Sequence, residues 1–309
     1  MVEAERTLRL GRIDGDLNCD CDTVNFSMKL LPYGLRAAVA GDIGLQCVML
    51  QRSSHFALFW ALTIAMGSAT AQAVGAVPPA LGLSAFYVRY LSAGGLPVVS
   101  SGKVSNAALQ AAASMARHML ARRPDLLAAL QQDGVRVAVI ASSERTTDIP
   151  EHSDLQPRQE WDKRARGFGA TRGRPVCSVA EENLLGLAED RYRGESIFVH
   201  EFAHTLHLMA LRRVDPDFDR KLRALYQDAM RQGLWHGTYA ATNRGEYWAE
   251  GVQSWFDANI AVDVPNGIHN GIATREALER YDPGLATLIA GVFRGESWRW
   301  ERPGAHARR

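Results

Sequence analysis

"ESIFVHEFAHTLHLMALRR", residues 195–213, sets two histidines four residues apart in an otherwise apolar run. Ser196 stands where a helix N-cap belongs, and the stretch from 196 to 212 reads as a helix. Positions i and i+4 share a helix face, so His200 and His204 present their imidazoles side by side. Glu201 is turned by about 100° from His200 and lies beside that pair rather than beneath it. Imidazole and carboxylate groups are costly in apolar surroundings without a partner. Two imidazoles at this spacing suit one metal ion. The adjacent carboxylate suits a base that takes a proton from a water on that ion.

A catalytic zinc ion needs a third protein ligand and one open position. The metzincin continuation of H-E-x-x-H would require Gly at 207 and His at 210, but the chain has His207 and Ala210. A better source is "NRGEYWAEGVQSWF", residues 243–256, where Glu246 and Glu250 are again at i and i+4. Trp248, Val252, Trp255 and Phe256 occupy the other face and belong to the core. On spacing alone, either glutamate can bind the metal while the other accepts a hydrogen bond from a ligand imidazole.

H-E-F-A-H on one helix followed by E-Y-W-A-E on a later one resembles the gluzincin metallopeptidases. The resemblance is to the catalytic domain of anthrax lethal factor and to the Mlc titration factor group. It implies a zincin-like α+β fold with a small sheet before a mostly helical half. It also implies a Zn2+ ion held by His200, His204 and Glu246, with Glu201 as general base and Glu250 as the carboxylate behind a ligand imidazole. Tyr239, seven residues before Glu246 in "TYAATNRGE", takes the place of a tyrosine that stabilises the transition state. The matched text spans roughly 197–256, and it departs from the pattern at His207 and Gly245. Such a site polarises a carbonyl through the metal, and a nearby phenol can donate to the oxyanion as it forms.

The rest of the chain sets limits around this motif. Its 309 residues are 47% hydrophobic and 22% charged, an ordinary globular composition, and the net charge of +1 gives no footprint for nucleic acid. "QRSSHFALFWALTIAMGSATAQAVGAVPP", residues 51–79, has Arg52, an apolar stretch from Phe56 to Met66, and Ala71-Gln72-Ala73. This reads as a secretory signal peptide over 49–73, with a signal-anchor helix as the alternative. Residues 1–48 then read as an over-extended gene start without structure, and 74–309 as one zincin-like catalytic domain. Cys19, Cys21 and Cys47 fall before that domain, so Cys177 is alone in it and reads as a small buried hydrophobe.

Within 74–309, "KVSNAALQAAASMARHMLARRPDLLAAL" predicts a helix broken at Pro124 and then a second, short one. "VRVAVIA" at 135–141 and "PVCSVA" at 175–180 predict strands, and 142–174 reads as a long polar surface loop. Helices are expected over 215–233, 243–259 and 274–293. His207 reads as a packing histidine or a brace for the site, and His236 as a loop residue or a second oxyanion donor. Lys163, Arg164, Arg166, Arg172 and Arg174 read as a solvated loop face or an attractor of acidic substrate. The expected function is that of an exported (secreted or periplasmic) zinc metallopeptidase acting on a peptide or protein, away from nucleic acid and membrane. The rival is a zincin-shaped protein without catalysis that works by protein–protein contact.

Overall fold

Five strands and ten helices make an α+β architecture in the computed structural model, which describes residues 73–304. The segments read as an over-extended start (1–48) and as a signal peptide (49–73) lie outside the described residues, Ala73 excepted. The first half holds β1 (Arg89–Ala93), β2 (Leu96–Ser100), α1 (Asn106–Leu120), α2 (Pro124–Gln132), β3 (Arg136–Ile140), α3 (Arg158–Arg164), β4 (Gly167–Phe168) and β5 (Val176–Ala180). The second half is helical: α4 (Glu181–Leu185), α5 (Ile197–Thr205), α6 (Arg212–Val214), α7 (Phe218–Arg231), α8 (Arg244–Trp255), α9 (Arg275–Tyr281) and α10 (Pro283–Phe293).

The sheet runs in the order β1-β2-β3-β5-β4, with β2, β3 and β5 parallel and the two outer strands antiparallel to their neighbours. Its strands alternate strictly. Val98, Val137, Val139, Cys177 and Val179 point into the main core with α1 and α5. Val99, Ala138, Ile140, Val176 and Ala180 point the other way, into a smaller cluster with Tyr87 and Ile149. The β1–β2 hairpin was not expected. Gly94 and Gly95, both at positive φ, make its two-residue turn between short β-forming runs, a legible hairpin signal.

The reading of 142–174 as an irregular loop is corrected. The segment contains two 3₁₀ turns, α3 and β4, because its polar residues bond to one another. Asp162 accepts from the backbone and hydroxyl of Thr147, and Arg158 donates to the Thr147 hydroxyl and carbonyl. Most of the expected basic face is likewise engaged. Arg166 lies against Glu182 at 2.6 Å, Arg174 pairs with Asp154 at 2.7 Å, and Lys163 is 3.7 Å from Glu160.

The helix expected over 196–212 is also interrupted. After α5 the chain widens into a π turn over Leu206–Leu211 before closing as α6. Cys177 is buried in β5, as expected. Among the described residues, no helix is long and apolar enough to cross a membrane.

Candidate metal centre

Helix α5 carries His200, Glu201 and His204. Its start is set by Ser196, whose hydroxyl accepts from the Val199 N–H at 3.3 Å. An N-cap of this kind typically contributes about 1 kcal/mol. Phe198, Val199, Phe202 and Ala203 are fully buried, which leaves the histidine face turned the other way. The helix is then held from two sides. Trp248 Nε1 donates to the Ala203 carbonyl at 2.9 Å, and Thr205 Oγ1 donates to the Glu201 carbonyl while accepting from the Ala170 N–H.

Strand β4 runs along the edge of the sheet directly against α5. A Cβ at Gly169 would come within 2.7 Å of the His204 Cβ and 3.0 Å of the Glu201 carbonyl. One at Gly167 would meet the Ser178 carbonyl at 2.6 Å and Glu201 Cγ at 3.4 Å. Close approach, not unusual backbone angles, demands glycine at both places.

Helix α8 brings the third group. Asn243 caps it, its side-chain oxygen accepting from the N–H groups of Gly245 and Glu246, so Glu246 sits in the first turn where the helix dipole favours a negative charge. Glu246 Oε2 lies 3.1 Å from His200 Nε2 and 3.2 Å from His204 Nε2, and the two nitrogens are 3.1 Å apart. Three ligand atoms bound at about 2.0–2.1 Å at tetrahedral angles would stand about 3.3–3.4 Å from one another. The cluster His200, His204 and Glu246 therefore fits a zinc-like ion in donor type and in spacing.

The electrostatics favour positive charge here. Burial opposes protonation of His200, but its bond to Glu246 and the charges of Glu201 and Glu250 outweigh burial and push its pKa up to about 10. Burial would raise Glu246, yet its bonds to both imidazoles hold it well below the usual carboxylate range. A site built of carboxylates around two imidazoles favours a bound cation.

Glu201 is half-buried, and its carboxylate has no hydrogen bond or ion pair among the described residues. Tyr239 opens a 3₁₀ turn; its backbone N–H donates to the Ile268 carbonyl, and its ring centroid lies 6.3 Å from that of His200. Burial and the adjacent Glu246 carboxylate raise its pKa, which keeps the phenol protonated.

Glu250 and Gln253 both face the Nδ1 side of His200. Glu250 Oε1 is 3.5 Å from His200 Nδ1, whereas Gln253 Oε1 is 2.7 Å away. Glu250 also accepts from Asn259 Nδ2 at 2.9 Å. Behind the His200 imidazole thus stand both Glu250, the expected carboxylate, and the unexpected and nearer Gln253, one turn further along the same face of α8. Helical spacing from Glu246 (i+7) was the signal that could have found it.

No protein-family model matches the chain, and no curated protein matches it in sequence. Among solved structures, the Pro-Pro endopeptidase PPEP-2 from Paenibacillus alvei is 19% identical, over 63% of this chain and 96% of that one, with a TM-score of 0.43. At that level the likeness carries no argument, and the chemistry of the site rests on its own residues.

Neither additional histidine joins the cluster. His207 Nε2 is bonded to Asp219 at 2.5 Å, which ties the π turn to α7, and its ring packs on Phe218. His236 is exposed, in a shallow hollow with Gly233, Pro265 and Tyr281.

Proposed function

We propose that this protein is a zinc-dependent hydrolase of zincin-like fold that cleaves peptide bonds. The observation that carries the reading is the convergence of His200, His204 and Glu246 within 3.1–3.2 Å of one another beside Glu201, whose carboxylate is unpaired among the described residues. When bound, a zinc ion would supply Lewis acidity, lowering the pKa of a water and polarising the scissile carbonyl.

The chain's own groups do the rest. Glu201 takes the proton of the attacking water and returns it to the departing amine. Tyr239 donates its phenolic hydrogen to the carbonyl oxygen as that oxygen gains charge. The carboxylate of Glu246 and the two imidazoles leave a metal of formal charge +2 with one net positive charge. Export before action remains part of this reading, supported only by the signal-like sequence over 49–73.

The test is hydrolysis of a mixed peptide library by the purified protein, with chelator and after zinc is restored. Cleavage that stops with chelator and returns with zinc is the expected result. A protein that takes up zinc stoichiometrically and cleaves no member of the library would instead be a binding protein of the same shape.

A further inference from the structure

Gln253 is completely buried in α8, and every polar atom of its amide is committed. Its Nε2 faces three acceptors, Glu195 Oε2 at 3.3 Å, the Ser196 carbonyl at 3.3 Å and the Ala258 carbonyl at 3.5 Å. The other end, Oε1, lies 2.7 Å from His200 Nδ1. Reversing the amide would set an N–H₂ group against the imidazole and a carbonyl against three oxygens. The orientation is therefore determined by the surroundings.

An amide oxygen only accepts, so His200 Nδ1 carries hydrogen and Nε2 is the nitrogen presented to Glu246 and to any ion. Glu250 is the more distant acceptor, its Oε1 3.5 Å from the same nitrogen, too long for a strong hydrogen bond from the ring. The three acceptors of Nε2 belong to the start of α5 and to the turn after α8. Gln253 thus fastens the ligand imidazole to both helices that carry the metal group.

We propose that Gln253 is the positioning residue of the metal centre, fixing the tautomer and ring direction of His200 through an uncharged amide. This rests on the metal-binding reading given above. An uncharged acceptor holds the imidazole in one tautomer without adding a fourth negative charge to Glu201, Glu246 and Glu250.

Zinc affinity is measured by chelator competition on folded protein for the wild type, Gln253→Leu, Gln253→Glu and Glu250→Gln. In the zinc-loaded state, where the metal takes Nε2, the Nδ1-bound ring proton of His200 is followed by NMR. Gln253→Leu is expected to weaken zinc about 10–100-fold and to lose the downfield ring-proton signal. Gln253→Glu keeps an acceptor oxygen in place against Nδ1; it is expected to bind zinc nearly as the wild type does. Glu250→Gln should weaken zinc less than Gln253→Leu.

Unchanged zinc affinity and an unchanged ring proton in Gln253→Leu would overturn the proposal while leaving the metal site standing. Equal weakening by Gln253→Glu and Gln253→Leu would also overturn it, by showing that the acceptor oxygen is not what matters. A wild type that takes up no zinc would remove the metal-binding reading itself and this proposal with it.

Discussion

Trp248 Nε1 donates to the Ala203 carbonyl at 2.9 Å, joining α8 to α5 between the residues that hold the metal group. Trp248 is completely buried, with its ring edge-on to Phe218. The bond sets how closely the two helices approach at the level of Glu246 and His204. Trp248→Phe, which removes the donor and part of the ring, should cost about 1–2 kcal/mol in urea unfolding and loosen zinc binding. Trp248→Ala should cost about 3–5 kcal/mol through the cavity it opens. An unfolding midpoint unchanged in Trp248→Phe would show that this contact does not set the helix pair.

Glu201→Gln should separate binding from chemistry. The amide leaves His200, His204 and Glu246 in place, so zinc stoichiometry should hold while peptide cleavage falls about 10²–10⁴-fold. Tyr239→Phe should also keep its metal and lose about 10²–10³-fold. Steady-state rates together with metal analysis of the same samples check both. Full activity in Glu201→Gln would end its assignment as the base.

Glu246→Ala should abolish stoichiometric zinc uptake, because it removes one of three ligands. Glu250→Ala should retain the metal at reduced affinity, within about 10–100-fold of the wild type. Calorimetric titration distinguishes them, and the opposite pattern would exchange their roles.

Gly169→Ala places a methyl where the His204 Cβ and the Glu201 carbonyl already are. Overpacking of this kind typically costs about 1–3 kcal/mol. Since β4 and α5 must separate to admit it, zinc affinity should fall with stability. Gly173→Ala, where nothing stands within 4 Å, is the matched control.

Burial, reinforced by the charge of Glu250, pushes the pKa of Glu195 up to about 7. The folded state therefore prefers the protonated acid. Its contribution to stability is present in full below the unfolded carboxylate range near 4.5 and is lost as pH rises through 7, on the order of 3 kcal/mol. In metal-free protein, Glu195→Gln should lose part of the fall in Tm between pH 5 and pH 8 that the wild type shows. Identical pH profiles for the two would mean that Glu195 stays ionised throughout.

The sequence by itself determined what a helix imposes locally. The i, i+4 spacing of His200 and His204, the cap at Ser196 and the shared face of Glu246 and Glu250 all follow from 3.6 residues per turn, and so were legible without coordinates. The tertiary structure decided what depends on the roll and approach of one element against another. Glu246 meets histidines 42 and 46 residues earlier because α8 is locked on α5 through Trp248, and that roll also puts Gln253 nearer than Glu250 behind His200. Gly167 and Gly169 show the same division. They read as part of a polar loop until an edge strand is found leading the chain against the histidine-bearing helix, where only the absence of a side chain permits the contact.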